Sequence, residues 1–284
     1  MDDTTSSAGR RSDQLGSAAI PKREQALKER LRLRQIAFVA EKLGAAADEL
    51  CAVLGIEVAF RDPGVGKWGL ENVVCPLGGG FLEIVAPKAP NTSAGRYLTR
   101  RKGDGGYMII MQSPDALLER QRVAGLGVRA VATADRETYL YTHFHPSDLG
   151  GFLLSIDSIL PPTNHLERYA PWPPAGPDWQ NHRREQVCKD IVGVELQSDD
   201  PEGLAKLWAR VLDLPARKHE GIPRIALANA RLRFVKTQDG RGPGIGALDI
   251  AVNDRAYVLA EAAKRGLKNS DDCVTVCGCR INLR

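Results

Sequence analysis

Two stretches of this chain repeat one phrase. Residues 78–87 read G-G-G-F-L-E-I-V-A-P, and residues 139–157 read Y-L-Y-T-H-F-H-P-S-D-L-G-G-F-L-L-S-I-D, so each runs a Gly-Gly turn into an apolar strand. Ahead of each copy the same parts come in the same order: a strand, a helix halted at Leu-Gly, then more strands. The helix stops align, V-L-G-I-E-V over 53–58 against G-L-G-V-R-A over 125–130. A sequence that repeats a supersecondary unit is constrained to a fold in which copies of that unit pack together.

In the first unit, L-R-Q-I-A-F-V-A over 33–40 predicts a strand, and 44–54 places Ala47, Leu50, Cys51 and Leu54 at helical spacing before Gly55. Short strands are predicted at 56–61, 71–76 and 81–86, separated by Gly and Pro. A basic connector, A-G-R-Y-L-T-R-R-K-G-D-G-G over 94–106, leads to a second unit with a strand at 107–112, a helix at 114–126 and strands at 128–132, 138–145 and 152–156. Six prolines between 161 and 177 argue against regular structure there. The pattern then restarts: a strand at 191–197, a helix opened by Asp200-Pro201, strands at 224–227 and 232–236, a strand at 247–252, a helix at 255–265 and a final strand at 274–283. The divisions expected are a disordered polar tail at 1–28 with a lead-in helix from Pro21, a module pair at 29–160, a Pro-rich linker at 161–185 and a degenerate pair at 186–284.

The chain has 284 residues, 43% apolar and 26% charged, which is room for two cores. A net charge of +4 without an aromatic-interleaved basic stripe gives no footprint for nucleic acid. No apolar run approaches a membrane span and the N-terminus lacks a signal-peptide core, so a cytoplasmic location is expected. Six scattered cysteines without a C-x-x-C pair read as buried thiols, including Cys277 and Cys279, which the strand prediction places on one face.

The strand L-R-Q-I-A-F-V-A, the amphipathic helix, G-G-F-L-E-I, and their repeat as G-G-Y-M-I-I-M-Q and H-P-S-D-L-G-G-F-L-L-S-I-D together resemble the vicinal oxygen chelate superfamily. That group includes glyoxalase I, methylmalonyl-CoA epimerase, extradiol dioxygenases and bleomycin resistance proteins. The resemblance implies an α+β fold of tandem paired β-α-β-β-β modules whose curved sheets enclose a cavity, usually with a divalent metal. Carried over by position, the ligand set would be Gln35, Glu83, Met108 and Ser155. Only Gln35 and Glu83 offer oxygen donors suited to such an ion, so a divalent metal, if held at all, is held weakly. In the second half Gly193, Arg233 and Asp249 stand at the corresponding places, and no metal is expected there.

Glu83 lies at an inward position of an apolar strand if Leu82 and Ile84 face the helices, and a buried carboxylate must be paired, hydrated or functional. Gln35 reads equally as a polar cavity-lining residue. Alternation puts Tyr139, Tyr141, His143 and His145 on one strand face, which is either an acid-base face, one whose His143 is the nearby candidate for a third metal ligand, or an exposed edge. Arg96, Arg100 and Arg101 form either a clamp for an anionic substrate group or a solvated charge run. The expected function is a glyoxalase-like lyase, isomerase or dioxygenase acting on a small oxygenated organic substrate. Glu83 would be its general base or metal ligand, with His143 and Tyr107 catalytic, and Gln35, Arg96, Arg100 and Arg101 binding the substrate. The alternatives are a binding protein of the drug-sequestering type and an interaction protein with a vestigial site. The expected partners are this small molecule, anionic if the arginines bind it, and a second copy in a homodimer, with neither nucleic acid nor membrane.

Overall fold

The computed structural model describes residues 29–284, so the expected tail at 1–28 and most of the lead-in helix lie outside the described residues. The first unit runs β1 (Arg32–Val39), α1 (Leu43–Leu54), β2 (Leu70–Leu77) and β3 (Gly80–Pro87), with an isolated bridge from Phe60 to Val74 as its remaining strand. After α2 (Ser93–Arg101) the second unit follows as β4 (Gly105–Gln112), α3 (Ala116–Ala124), β5 (Ala130–Asp135), β6 (Tyr139–Phe144) and β7 (Leu153–Ile159). The third comprises β8 (Cys188–Ser198), α4 (Pro201–Leu212), β9 (Ala216–His219), β10 (Ile222–Ala226) and β11 (Arg231–Lys236). The fourth comprises β12 (Gly244–Val252), α5 (Arg255–Lys264), β13 (Asn269–Ser270), β14 (Cys273–Val276) and β15 (Cys279–Leu283).

Each unit pairs its first strand in parallel with its last: β1 with β3, β4 with β7, β8 with β11, and β12 with β15. A parallel pair needs a crossover, and the helix of each unit supplies it. Units then join antiparallel through their first strands, β1 to β4 and β8 to β12. The two halves meet where Ile245 pairs with Gly106. A Cβ on Gly106 would stand 2.6 Å from the Ile245 side chain, so this crossing of β4 and β12 requires glycine.

Strand alternation sorts the two faces. Ile36, Phe38, Leu82 and Ile84 join the core beneath the helices, whereas Ala37 and Phe81 belong to a separate cluster on the concave face. Differences from the sequence reading are local. Residues 274–283 form a hairpin, because Cys277 and Gly278 both adopt positive φ and turn the chain. Cys277 and Cys279 therefore do not share a strand face, though both are buried free thiols.

The basic connector is largely helical. Thr92 caps α2 by accepting from the Gly95 amide, and Arg101 at the other end of the helix does not line the concave face. Arg101 is 1% exposed and donates to the carbonyls of Arg241 and Gly242 at 2.7 Å each and to the Asp239 carboxylate at 2.9 Å. It ties α2 to the loop before β12, which corrects its assignment to substrate binding. Arg101→Ala should cost about 3 kcal/mol in urea unfolding, since it strands several buried acceptors. Arg96→Ala should stay within about 0.5 kcal/mol of wild type.

The Pro-rich linker lacks regular structure beyond two short 3-10 turns, Pro173–Ala175 and Trp179–His182, but it is packed against the first half. Trp172 and Trp179 are buried around Phe81, with the Arg34 guanidinium 5.0 Å from the Phe81 ring and 5.3 Å from Trp172. From β1, Arg32 and Arg34 both donate to the Gly79 carbonyl and to the Arg168 carbonyl, which pins the linker across the sheet. Among the described residues, no helix is long and apolar enough to cross a membrane.

Candidate active site

The concave face of the first half encloses a cavity of about 660 Å³. Its walls are mostly apolar, with Ala37, Val85, Met108, Ile110 and Leu153 among them, and its polar groups include Gln35, Asn72, Glu83 and Asp157. Gln35, Glu83, Tyr107 and His143 all line it, as do Arg96 and Arg100. Arg101 does not.

Glu83 reaches the cavity because β3 buries Leu82 and Ile84 beneath the helices. Its two oxygens accept from Gln35 Nε2 at 2.8 Å and Asn72 Nδ2 at 2.6 Å. Both amides are held in that orientation from behind. The Gln35 oxygen accepts from Trp172 Nε1 at 2.7 Å, and the Asn72 oxygen accepts from the Asp62 backbone N–H at 2.8 Å. An indole N–H and a peptide N–H can only donate, so neither amide can turn over without opposing donor to donor. Residue 83 must therefore present two acceptors, which a carboxylate does. Burial raises the Glu83 carboxyl above its ordinary range, while the Asn72 and Gln35 hydrogen bonds pull it back.

A second carboxyl, Asp157 on β7, was not singled out by the sequence reading. It accepts from the Tyr139 and Ser155 hydroxyls and is pushed up to about 7 by burial, which those two bonds oppose. The signal was present: Asp157 follows Ser155 at strand alternation within L-L-S-I-D-S-I, the same pattern that exposed Glu83. Asn72 and Trp172 carried no comparable signal, since a polar amide on a half-apolar strand and a tryptophan in a Pro-rich segment are unremarkable alone.

His143 stacks on Tyr141, ring centroids 4.5 Å apart, and Tyr141 Oη accepts from Lys67 Nζ at 3.1 Å. Burial, reinforced by the Lys67 charge, lowers the imidazole to about 4. The ring is thus neutral at physiological pH and forms an aromatic wall. Its C2 proton resonance should hardly move between pH 8 and pH 5.5 in an NMR titration, since even the lower limit lies above that value; an inflection near the free-histidine pKa would contradict this. His145 accepts from the Ser147 amide at 3.1 Å and caps a turn at the rim. Tyr107 Oη bonds to Ser93 Oγ at 3.0 Å and its ring stands edge-on to Tyr97, so it belongs to the mouth beside α2. Arg96 donates to the Asn91 carbonyl and Arg100 lies over the Tyr97 ring. Among the described residues, no carboxylate pairs with either.

The four positions that would hold a divalent metal do not fit one. The Gln35 oxygen is committed to Trp172 and its nitrogen to Glu83, Met108 offers a thioether, and the buried Ser155 hydroxyl is given to Asp157. Glu83 is left as a single hard donor, below the three or four that a stable site uses.

Four parallel-closed units, paired through their first strands with the first pair around a cavity, define a protein of the vicinal oxygen chelate class. The chain belongs to the Glyoxalase-like domain family, whose model matches residues 36–212. The fold is shared with a hypothetical protein from Staphylococcus aureus at 10% identity, covering 89% of this chain and 99% of that one with a TM-score of 0.61. A mutant of 4-hydroxymandelate synthase from Streptomyces coelicolor is similar at 15% identity over 84% of this chain and 76% of that one, TM-score 0.61. Methylmalonyl-CoA epimerase from Mycobacterium tuberculosis aligns at 19% identity over 45% of this chain and 88% of its own, TM-score 0.41. No curated protein matches the sequence.

Proposed function

We propose that this protein is a proton-transfer enzyme of isomerase or lyase type. Glu83 removes a proton from carbon next to a carbonyl in a small organic substrate, and Arg96 and Arg100 receive an anionic end of that substrate at the mouth. The observation that carries this reading is the pair of locked amides, which hold a two-acceptor carboxylate at the floor of a largely apolar cavity. A poised base in a largely apolar site suits carbon-acid chemistry, and no metal is needed for the proton to move. The apolar walls accommodate the carbon skeleton and leave the polar groups to orient it.

The test is deuterium wash-in. Wild-type protein in D2O is incubated with a panel of 2-oxo acids, 3-oxo acids, aryl ketones and acyl thioesters, and loss of the α-proton is followed by NMR. At least one class should exchange faster with protein than without, and prior dialysis against a chelator should leave that rate unchanged. If compounds bind but none exchanges faster than in buffer, the cavity is a binding site only, which is the sequestration alternative.

A further inference from the structure

Removing a proton beside a carbonyl places negative charge on the carbonyl oxygen, and something must receive it. Resting on the proton-transfer reading above, we propose that Tyr139, backed by Asp157, is the oxyanion-stabilising donor of this cavity. Its hydroxyl would donate to an enolate or phenolate oxygen.

Tyr139 and Asp157 both line the cavity that holds Glu83. Asp157 is 1% exposed, and among the described residues no arginine, lysine or histidine pairs with it. Its partners are the hydroxyls of Tyr139 and Ser155. A carboxyl buried without a cation favours its neutral form. A neutral Asp157 carries a proton that needs an acceptor, and the Tyr139 oxygen beside Oδ2 and the Ser155 oxygen beside Oδ1 are in place. Once Asp157 donates to the Tyr139 oxygen, the Tyr139 O–H is released to point into the cavity. Ser155 keeps an alternative acceptor in the Thr142 carbonyl at 3.3 Å. With the proton on Oδ2, the oxygen that faces Tyr139, Ser155 still has Oδ1 or the Thr142 carbonyl to donate to, and the relay ends at Tyr139.

The pair is also placed to act with the base. The Tyr139 ring stands edge-on to Trp172 at 5.7 Å, Trp172 donates to Gln35, and Gln35 donates to Glu83. One continuous set of contacts links the base from the first unit to the donor from the second. In the step itself, Glu83 takes the proton, the C–H electron pair becomes the carbon-carbon π bond, and the carbonyl π pair moves to oxygen, where Tyr139 donates to it. Return of the proton from Glu83 to carbon regenerates both groups, so no further reactant is consumed. Tyr139 stays protonated throughout, because burial holds its phenol above the ordinary range. The titratable groups facing Asp157 are Tyr139 and Tyr141 from β6; β4 presents Gln112 opposite it. Tyr139 touches substrate on this proposal, and Asp157 is a positioning residue.

The probe is 4-nitrophenol, whose phenolate form mimics an enolate oxygen and reports hydrogen bonding through its absorption band. Wild type should bind the phenolate with a blue-shifted band, and Tyr139→Phe should weaken binding roughly ten- to hundredfold, as expected for a lost hydrogen bond to a charge. After correction for ionisation of the probe itself, wild-type affinity for the phenolate should fall as pH rises through about 7, where Asp157 ionises. Asp157→Asn, whose amide still donates to Tyr139, should remove that fall and keep the blue shift. Circular dichroism and melting temperature confirm that each variant is folded. Wild type that fails to bind the phenolate, Tyr139→Phe that binds it like wild type, or a pH profile unchanged in Asp157→Asn would each overturn the proposal. Phenolate binding should survive Glu83→Gln. Failure of the base reading appears instead as absent deuterium exchange with intact, Tyr139-dependent phenolate binding.

Discussion

Glu83→Gln is expected to slow deuterium exchange roughly 100- to 10,000-fold, the contribution of a positioned general base, and to lower stability by about 1–2 kcal/mol. The loss of rate follows from chemistry, because an amide cannot take the proton. The loss of stability follows from the hydrogen-bond pattern. A glutamine at 83 must aim its own NH2 at either Gln35 Nε2 or Asn72 Nδ2, both of which already donate toward it. Neither can reverse, since Trp172 Nε1 and the Asp62 N–H occupy their oxygens. From the sequence alone the same change is expected to be neutral or stabilising, because it removes a buried charge; the locked amides reverse that sign. The mechanism has its own check. Trp172→Phe frees Gln35 to turn over, so the double variant should be more stable than the sum of the two single costs implies. Strictly additive urea-unfolding free energies would contradict the locked-amide account, and a fully active Glu83→Gln protein would remove Glu83 from the reaction.

Asp157→Asn should become progressively more stable than wild type as pH rises. The Asp157 carboxyl is raised from 3.8 to about 7 by burial, so between those values the folded protein holds a proton that the unfolded chain has released. Unfolding free energy therefore decreases with pH in that window: the contribution is fully present below about pH 4 and lost as pH climbs through about 7. A shift of that size corresponds to about 4 kcal/mol at most by pH 8 and above, and asparagine does not incur it. His143 acts in the opposite sense. Its imidazole is lowered to about 4, so its contribution is present above the free-histidine value and lost as pH falls toward 4. The wild-type curve blends both, and subtracting the Asp157→Asn curve from it isolates Asp157. A stability difference independent of pH from 4 to 8 would mean that Asp157 is ionised throughout and cannot support Tyr139.

The cavity face was legible where alternation alone decides it. Placing Leu82 and Ile84 against the helices forces Glu83 to the other side, and the same rule sets Tyr139, Tyr141 and His143 on one face of β6. That rule says nothing of partners. Gln35 meets Glu83 because β1 and β3 pair in parallel with Ala37 opposite Glu83, which places Gln35 two residues along the cavity face. Arg96, Arg100 and Arg101 look alike as a basic run. A capped helix turns two of them toward the mouth and buries the third against the loop before β12.

What the sequence by itself determined is therefore what short-range periodicity can carry: four strand-helix-strand units, the Gly stops between them, and the faces of β3 and β6. Those depend on residues within a few positions of one another, whose geometry the backbone repeat sets directly. The tertiary structure alone decided that Trp172 crosses from the linker to hold Gln35, that Asn72 and Asp62 complete the cradle of Glu83, and that Asp157 finds two hydroxyls and no cation. Hydrogen-bond direction and burial are properties of contacts between segments remote in the chain. They come into being only when the sheet closes and the linker docks upon it, and they set the proton affinity of both carboxyls.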